Sequence, residues 1–274
     1  MSEANARFLG TIPELYDRHL GPVIFEPYAA DLARRVTVAS GETVLEIACG
    51  TGILTEQLHA RLSPKVRLVA TDLNQPMIDY ARSKMGAVER IDWRPADAAS
   101  LPFASASFSA LACQSGLMFV PDKEAACREA RRVLTKYGLF AFNVWGSFEH
   151  NPFGRIAHET IGSFFSGDPP NFYQVPFGFH NPDALRRLLE ANDFGQVDLE
   201  SVTLEARSPS AKSLAVGLVR GNPVSIAIQE RGVALDPIVD ALEAALVRVG
   251  GDHPFRSTMR ALVVTARAGA VRRT

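Results

Sequence analysis

Three acids and two glycines are spaced to do chemistry in this chain. In VLEIACGTG, Val44 to Gly52, an acid stands inside an apolar run, and Gly50 and Gly52 flank Thr51 directly after it. Glycines between a strand and a helix let a ligand approach the main chain, and the first turn of the helix offers unpaired N–H groups. A pyrophosphate-binding fingerprint would read G-x-G-x-x-G, but Ala48 precedes the glycine pair and Thr55 stands three residues after Gly52. Glu46 would repel a pyrophosphate and suits instead a ligand with a positive centre and an amino group. Asp72 follows Gly52 by 20 residues and closes a second apolar run, where an acid can reach both hydroxyls of a ribose. Asp97, ahead of LPF at Leu101 to Phe103, could accept from an adenine amino group.

Other reactive side chains carry less pattern. His19 lies near the amino terminus, and His150, His158 and His180 fall in one aromatic stretch. Their separations of 8 and 22 residues make no metal triad, and no HxH or HExxH occurs, so no metal is expected. His19, His150 and His180 are candidate general bases, each with a surface or hydrogen-bonded structural role as the alternative. Cys49, Cys113 and Cys127 show no CxxC pairing or zinc spacing, which suits a reducing cytosol and packed thiols.

The elements that must position these groups alternate. Thr43–Ala48, Val66–Thr71, Val88–Trp93, Phe108–Cys113 and Leu139–Trp145 read as strands, with helices over 51–62, 75–84 and 123–134. That rhythm predicts an α/β fold with a mostly parallel, Rossmann-like sheet and helices on both faces, the three acids lining its carboxyl edge. A stretch rich in Phe, Gly and Pro follows Trp145, and a long connection of this kind usually folds over something. It predicts a cap with a short helix near 156–165. Asn181-Pro182 starts a helix running to about Asn192, with Gly195 ending the turn. A strand over 196–207, helices over 223–230 and 237–249, and a strand over 259–266 complete a seven-stranded count. The cap aromatics Phe148, Phe153, Phe164, Phe165, Phe172, Tyr173, Phe177 and Phe179 form either an apolar acceptor pocket or a hydrophobic mini-core.

Composition narrows the partners. In 274 residues, 29 basic and 30 acidic side chains leave a formal charge of -1, so no global field gathers nucleic acid. The Arg34-Arg35 and Arg131-Arg132 pairs read as solvated surface. MSEANARFLG lacks an apolar segment typical of a secretory leader, and no run is long enough to cross a bilayer, which points to a cytoplasmic protein.

VLEIACGTG, VATDLNQPMIDYAR, RPADAASLPFASASFSALACQSGLMFVPD and EARRVLTKYGLFAF, in that order over about residues 40–145, resemble the class I S-adenosylmethionine-dependent methyltransferases, specifically the small-molecule branch that includes the ubiquinone/menaquinone C-methyltransferases. The resemblance implies a core over 41–145 that binds S-adenosylmethionine and an N-terminal helical segment (1–40) folded over the cofactor; beside them stand the cap at 146–180 and a C-terminal part of the core (181–274), in which a helical insertion at 208–254 departs from the shortest family plan. It further implies that Glu46, Gly50 and Gly52 floor the methionine end, Asp72 binds the ribose, and Leu73 and Met77 pack by the adenine, whose edge Asp97 and Ala98 touch. Gln114 would contact the methionine part, with a structural amide as the alternative. Tyr16 would stand near the methionine end, and Phe25 or Tyr28 near the acceptor, unless Tyr28 packs a helix on the sheet. Ala48 departs from the family's usual glycine. The reaction implied is in-line methyl transfer to a small apolar or aromatic acceptor by a monomer or homodimer. The competing expectations are a nicotinamide-dependent oxidoreductase, a nucleic-acid methyltransferase and a non-catalytic cofactor-binding scaffold.

Overall fold

The structure, a computed structural model, describes residues 7–269. Residues 1–6, part of the opening stretch read above for a leader, lie outside the described residues.

The chain runs α1 (Ile12–His19), a π-helical turn (Gly21–Phe25), α2 (Glu26–Arg35), β1 (Thr43–Ile47), α3 (Ile53–Arg61), β2 (Arg67–Asp72), α4 (Gln75–Met85), β3 (Ile91–Pro95), β4 (Phe108–Gln114), α5 (Lys123–Val133) and β5 (Leu134–Trp145). It continues through α6 (Pro152–Gly162), α7 (Pro182–Ala191), β6 (Phe194–Ser208), α8 (Ala211–Arg220), α9 (Val224–Glu230), α10 (Leu235–Gly250) and β7 (Phe255–Ala268). The seven strands form one sheet in the order β3-β2-β1-β4-β5-β7-β6. The β1–β2, β1–β4, β2–β3 and β4–β5 pairings are parallel. The order reverses direction beside β1, which creates a crevice at the carboxyl ends of β1 and β4.

Two compact units divide the chain, each assembled from separate segments. One holds the chain up to Pro27, Trp145–Phe179 and Thr203–Ala261; the other holds Tyr28–Val144, His180–Val202 and the chain from Leu262. In the second unit β1 is buried at Val44, Leu45, Glu46 and Ile47, as a central parallel strand covered on both faces requires. Helix starts follow local chemistry. Asp122 accepts from Ala125 N at 2.8 Å before α5, and Asn181 accepts from Ala184 N at 2.9 Å before α7. In the first unit Ser210 accepts from Ser213 N at 3.0 Å to open α8.

Several boundaries differ from the sequence reading. The cap helix α6 starts at Pro152, before the expected 156, because the Asn151-Pro152 pair provides a favourable first turn. Gly195 lies inside β6 rather than ending a turn, since α7 stops at Ala191 and the strand begins at Phe194. β5 begins at Leu134, five residues earlier than expected, and passes through Tyr137 at φ 64°. Helix α8 lies inside the expected insertion, and its buried Ala211, Leu214, Ala215 and Leu218 recur at helical spacing along one face.

The cap aromatics resolve partly as a mini-core within the first unit. Phe153, Phe172, Tyr173 and Phe177 are buried, and Trp145 meets Phe153 edge-on at 6.0 Å. Phe148, Phe164, Phe165 and Phe179 are half-buried. Asn151 ties this unit together: it accepts from Arg260 N at 2.9 Å and donates to the Ser147 and Arg260 carbonyls.

Candidate active site

The site grows from the turn after β1. Ala48, Gly50 and Gly52 all take positive φ, at 52°, 54° and 80°. A Cβ on Gly52 would stand 3.0 Å from Ala81 Cβ, whereas one on Gly50 would meet nothing within 4 Å. Gly52 is therefore required by backbone and packing together, and Gly50 faces open space where a ligand can approach the main chain. Ala48 adopts the left-handed conformation of the glycine it replaces, at some cost in strain.

Asp72, at the end of β2, stabilises that turn. Its Oδ2 accepts from Gly50 N at 2.9 Å, and its Oδ1 accepts from Asn74 N at 2.8 Å. Oδ1 also accepts from Asn74 Nδ2 at 3.3 Å, so the further acceptor capacity of this carboxylate lies on Oδ2. Thr71 Oγ1 donates to the Glu46 carbonyl at 2.9 Å, which links the two strand ends.

Glu46 is 1% exposed, and its Oε2 has no hydrogen-bond partner. Burial pushes its carboxyl up to about 8, and the charge of Asp72 adds to the rise. The facing Thr55 hydroxyl opposes that shift but makes no hydrogen bond of ordinary geometry. Thr51 Oγ1 and Asn143 Nδ2 are likewise buried without a partner. Native proteins keep few such atoms. Next to Asp72, Leu73 is 62% exposed, an unusual position for a leucine at a strand end and a ready platform for a flat apolar surface.

Register places the strand residues of this site on one side of the sheet. Glu46 pairs with Ala70 and Ala112, Ala112 with Ala141, and Gln114 with Asn143. Residues in register, or two apart along a strand, share a face, so Glu46, Asp72, Gln114 and Asn143 project the same way from four adjacent strands. Met77 is buried in α4. Asp97 is exposed and accepts from Ala99 N at 2.8 Å, and Ala98 is half-buried beside it.

Asn143 carried no signal in the sequence reading, because an amide in the apolar run LFAFNVW looks like one polar interruption of a strand. Its position level with Gln114 appears only once β4 and β5 pair.

The remaining candidates divide between the two units. Tyr16 stacks on Phe25 at 4.7 Å within the first unit. Tyr28 belongs to the second, where its hydroxyl donates to the Val202 carbonyl at 2.9 Å, the packing role. His19 Nδ1 lies 2.9 Å from Ser213 Oγ, and burial, helped by Arg18, lowers its pKa. His150 Nδ1 lies 3.0 Å from Ser147 Oγ. Both belong to the first unit, whereas half-buried His180 opens a segment of the second, and His158 stacks on Phe148 at 5.4 Å.

Burial pushes the Cys113 and Cys127 thiols up to about 12. It raises Cys49 as well, reinforced by Asp72 and Glu46. These thiols stay protonated and packed. Among the described residues no group of three or more His, Cys, Asp or Glu could hold a metal, and no helix is long and apolar enough to cross a membrane. Two cavities of about 320 and 430 Å³, lined among others by Arg35, Thr37, Lys136 and Arg267, contain none of the site residues.

A strand–turn–helix with an acid on the first strand, and an acid closing the second strand that holds the turn, defines a nucleoside-binding α/β fold. Residues 44–138 match the family model described as a methyltransferase domain. The chain is 34% identical over 179 residues to the ubiquinone/menaquinone biosynthesis C-methyltransferase UbiE of Escherichia coli O1:K1 / APEC, covering 61% of this chain and 71% of that protein. It is 28% identical over 192 residues to the demethylmenaquinone methyltransferase of Deinococcus radiodurans, covering 66% and 79%. In structure it resembles the Haemonchus contortus phosphoethanolamine N-methyltransferase 2 solved with S-adenosyl-L-methionine, at a TM-score of 0.60 and 14% identity, over 94% of this chain and 56% of that one. The chain belongs to the class I S-adenosylmethionine-dependent methyltransferases. Nothing in these comparisons supports the nicotinamide-dependent oxidoreductase or the other competing expectations.

Proposed function

We propose that this methyltransferase binds its donor through Glu46, Gly50, Gly52, Asp72, Leu73, Met77, Asp97, Ala98 and Gln114, and transfers the methyl group to a small aromatic acceptor of the quinol type. The observation that carries the donor assignment is the buried Glu46 carboxyl with its partnerless Oε2. A buried acid without a cation is held in its neutral form, and a ligand ammonium beside it would supply the missing charge. S-Adenosylmethionine supplies an activated methyl group on its sulfonium, so the protein's task is orientation and exclusion of competing nucleophiles. Asp72, oriented by Gly50 N and Asn74 N, offers its remaining acceptor capacity to ribose hydroxyls. Leu73 offers the adenine an apolar face, and Asp97 and Ala98 border it. The quinol assignment is supported by the names of the sequence relatives and by an acceptor chemistry that needs apolar surroundings.

Titration with S-adenosylhomocysteine tests the donor site. Asp72→Ala should weaken binding about tenfold or more, the scale of one lost buried hydrogen-bond acceptor to a ligand, and His150→Ala should leave it unchanged. Equal effects of the two would overturn the site map. For the acceptor, labelled methyl from S-adenosylmethionine should appear on a ring carbon of a demethylated naphthoquinol. Labelling of oxygen or nitrogen acceptors alone would reject the quinol reading.

A further inference from the structure

Asn143 is fully buried on β5, level with Gln114, and its two side-chain ends differ in their bonding. Oδ1 accepts from Ser115 N at 2.9 Å and from Ser115 Oγ at 3.2 Å. The backbone adds a third link, from Ser115 N to the Asn143 carbonyl at 3.2 Å. These bonds hold Ser115 at φ 50°, a left-handed conformation that a serine does not adopt cheaply. They also fix the amide orientation, so the NH2 group is the end left over, and Nδ2 has no partner. Holding Ser115 requires only an oxygen, and the NH2 is surplus to that structural task. An unpaired buried donor is costly to keep, and a protein retains one where a ligand or ordered water completes it.

The charges on this face show which ligand group is short of a partner. Glu46 and Asp72 are acceptors suited to an ammonium and to hydroxyls, and Asn143 projects from the same sheet face. The amino-acid end of the methyl donor also carries a carboxylate, which needs donors. A neutral amide can meet it beside two acids without forming an ion pair with either.

We propose that Asn143 is a specificity-determining residue of the donor site: its Nδ2 binds the α-carboxylate of the cofactor's amino-acid end, while its Oδ1 fixes the Ser115 turn beside Gln114. The inference rests on the methyltransferase reading above and adds to it the group that recognises the carboxylate.

The test compares two ligands by calorimetry on the full chain: S-adenosylhomocysteine, and 5′-methylthioadenosine, which has the same adenosine thioether but no amino-acid end. Asn143→Ala should weaken the first about tenfold or more and leave the second within about twofold, as expected for loss of one charge-assisted hydrogen bond. Ser115→Gly, which keeps the amide and relieves the left-handed strain, should leave both affinities near wild type. If Asn143→Ala does not fold, Asn143→Asp keeps the oxygen for Ser115 but replaces the amide with an acid, and it should show the same selective loss. Equal weakening of both ligands would reduce Asn143 to a structural residue, and no weakening of either would remove it from the site; each overturns the proposal. Failure of the wild-type protein to bind S-adenosylhomocysteine would instead overturn the donor-site reading, so the two failures are distinguishable.

Discussion

At the scale of single residues the decisive feature is a carboxyl buried without a counter-charge. Glu46 keeps its proton to about pH 8 in the folded protein, against an ordinary value of 4.5. Between those two values the folded state binds more protons than the unfolded chain, so stability falls as pH rises through this window and levels off above about 8. A ligand ammonium beside Glu46 favours its ionised form. Binding of S-adenosylhomocysteine at pH 7 should therefore release a proton, and affinity should grow as pH approaches 8. Calorimetry in two buffers of different ionisation enthalpy reads this directly. Glu46→Gln should abolish both the buffer dependence and the decline in stability, and a wild-type heat independent of buffer would refute the assignment. Glu46 and Asp72 could be read from the sequence because an acid inside an apolar strand end is a strong local anomaly. Asn143 could not, because what distinguishes it is an absent partner, and partners are assigned only by folding.

At the scale of elements the turn after β1 and the turn after β4 are built against each other. Gly116 packs so tightly that a Cβ there would approach Ala48 Cβ to 2.3 Å. Gly116→Ala should cost about 1–3 kcal/mol through overpacking. The paired change Ala48→Gly removes the clash and a left-handed alanine together, so the double variant should recover most of the loss in thermal denaturation. If the two changes are simply additive, the turns are not in contact. Gly52→Ala should destabilise more than Gly50→Ala: at Gly52 the Ala81 contact adds to a positive φ that costs roughly 1–2 kcal/mol, while at Gly50 only the backbone term applies. The glycine pair was legible as a strand-to-helix turn, but which glycine serves packing was not, since that depends on Ala81 of α4, a helix distant in sequence.

At the scale of the whole molecule the chain weaves between its two compact units, so neither is a continuous stretch of sequence. Asn151 shows what holds such a unit together: one fully buried amide bonds both the N–H and the carbonyl of Arg260, 109 residues away. Asn151→Ala should cost about 1–3 kcal/mol per orphaned group. That exceeds the cost of about 1 kcal/mol for removing the helix cap with Asn181→Ala, and melting temperatures should rank the two variants in that order. Hydrogen exchange with S-adenosylhomocysteine should show protection concentrated at residues 48–56 and 72–77, and no change at either stretch would contradict the site.

By itself the sequence determined the periodic elements of the sheet, the glycine turn, the acids at the ends of β1 and β2 and the methyltransferase family, because each is written in local spacing and in short-range steric or charge logic. Only the tertiary structure decided which aromatics became core, that Tyr28 packs through Val202, that His19 is tied to Ser213, and that Asn143 holds a surplus donor. Those outcomes depend on contacts between residues far apart along the chain, whose energies exist only once burial removes water as the alternative partner.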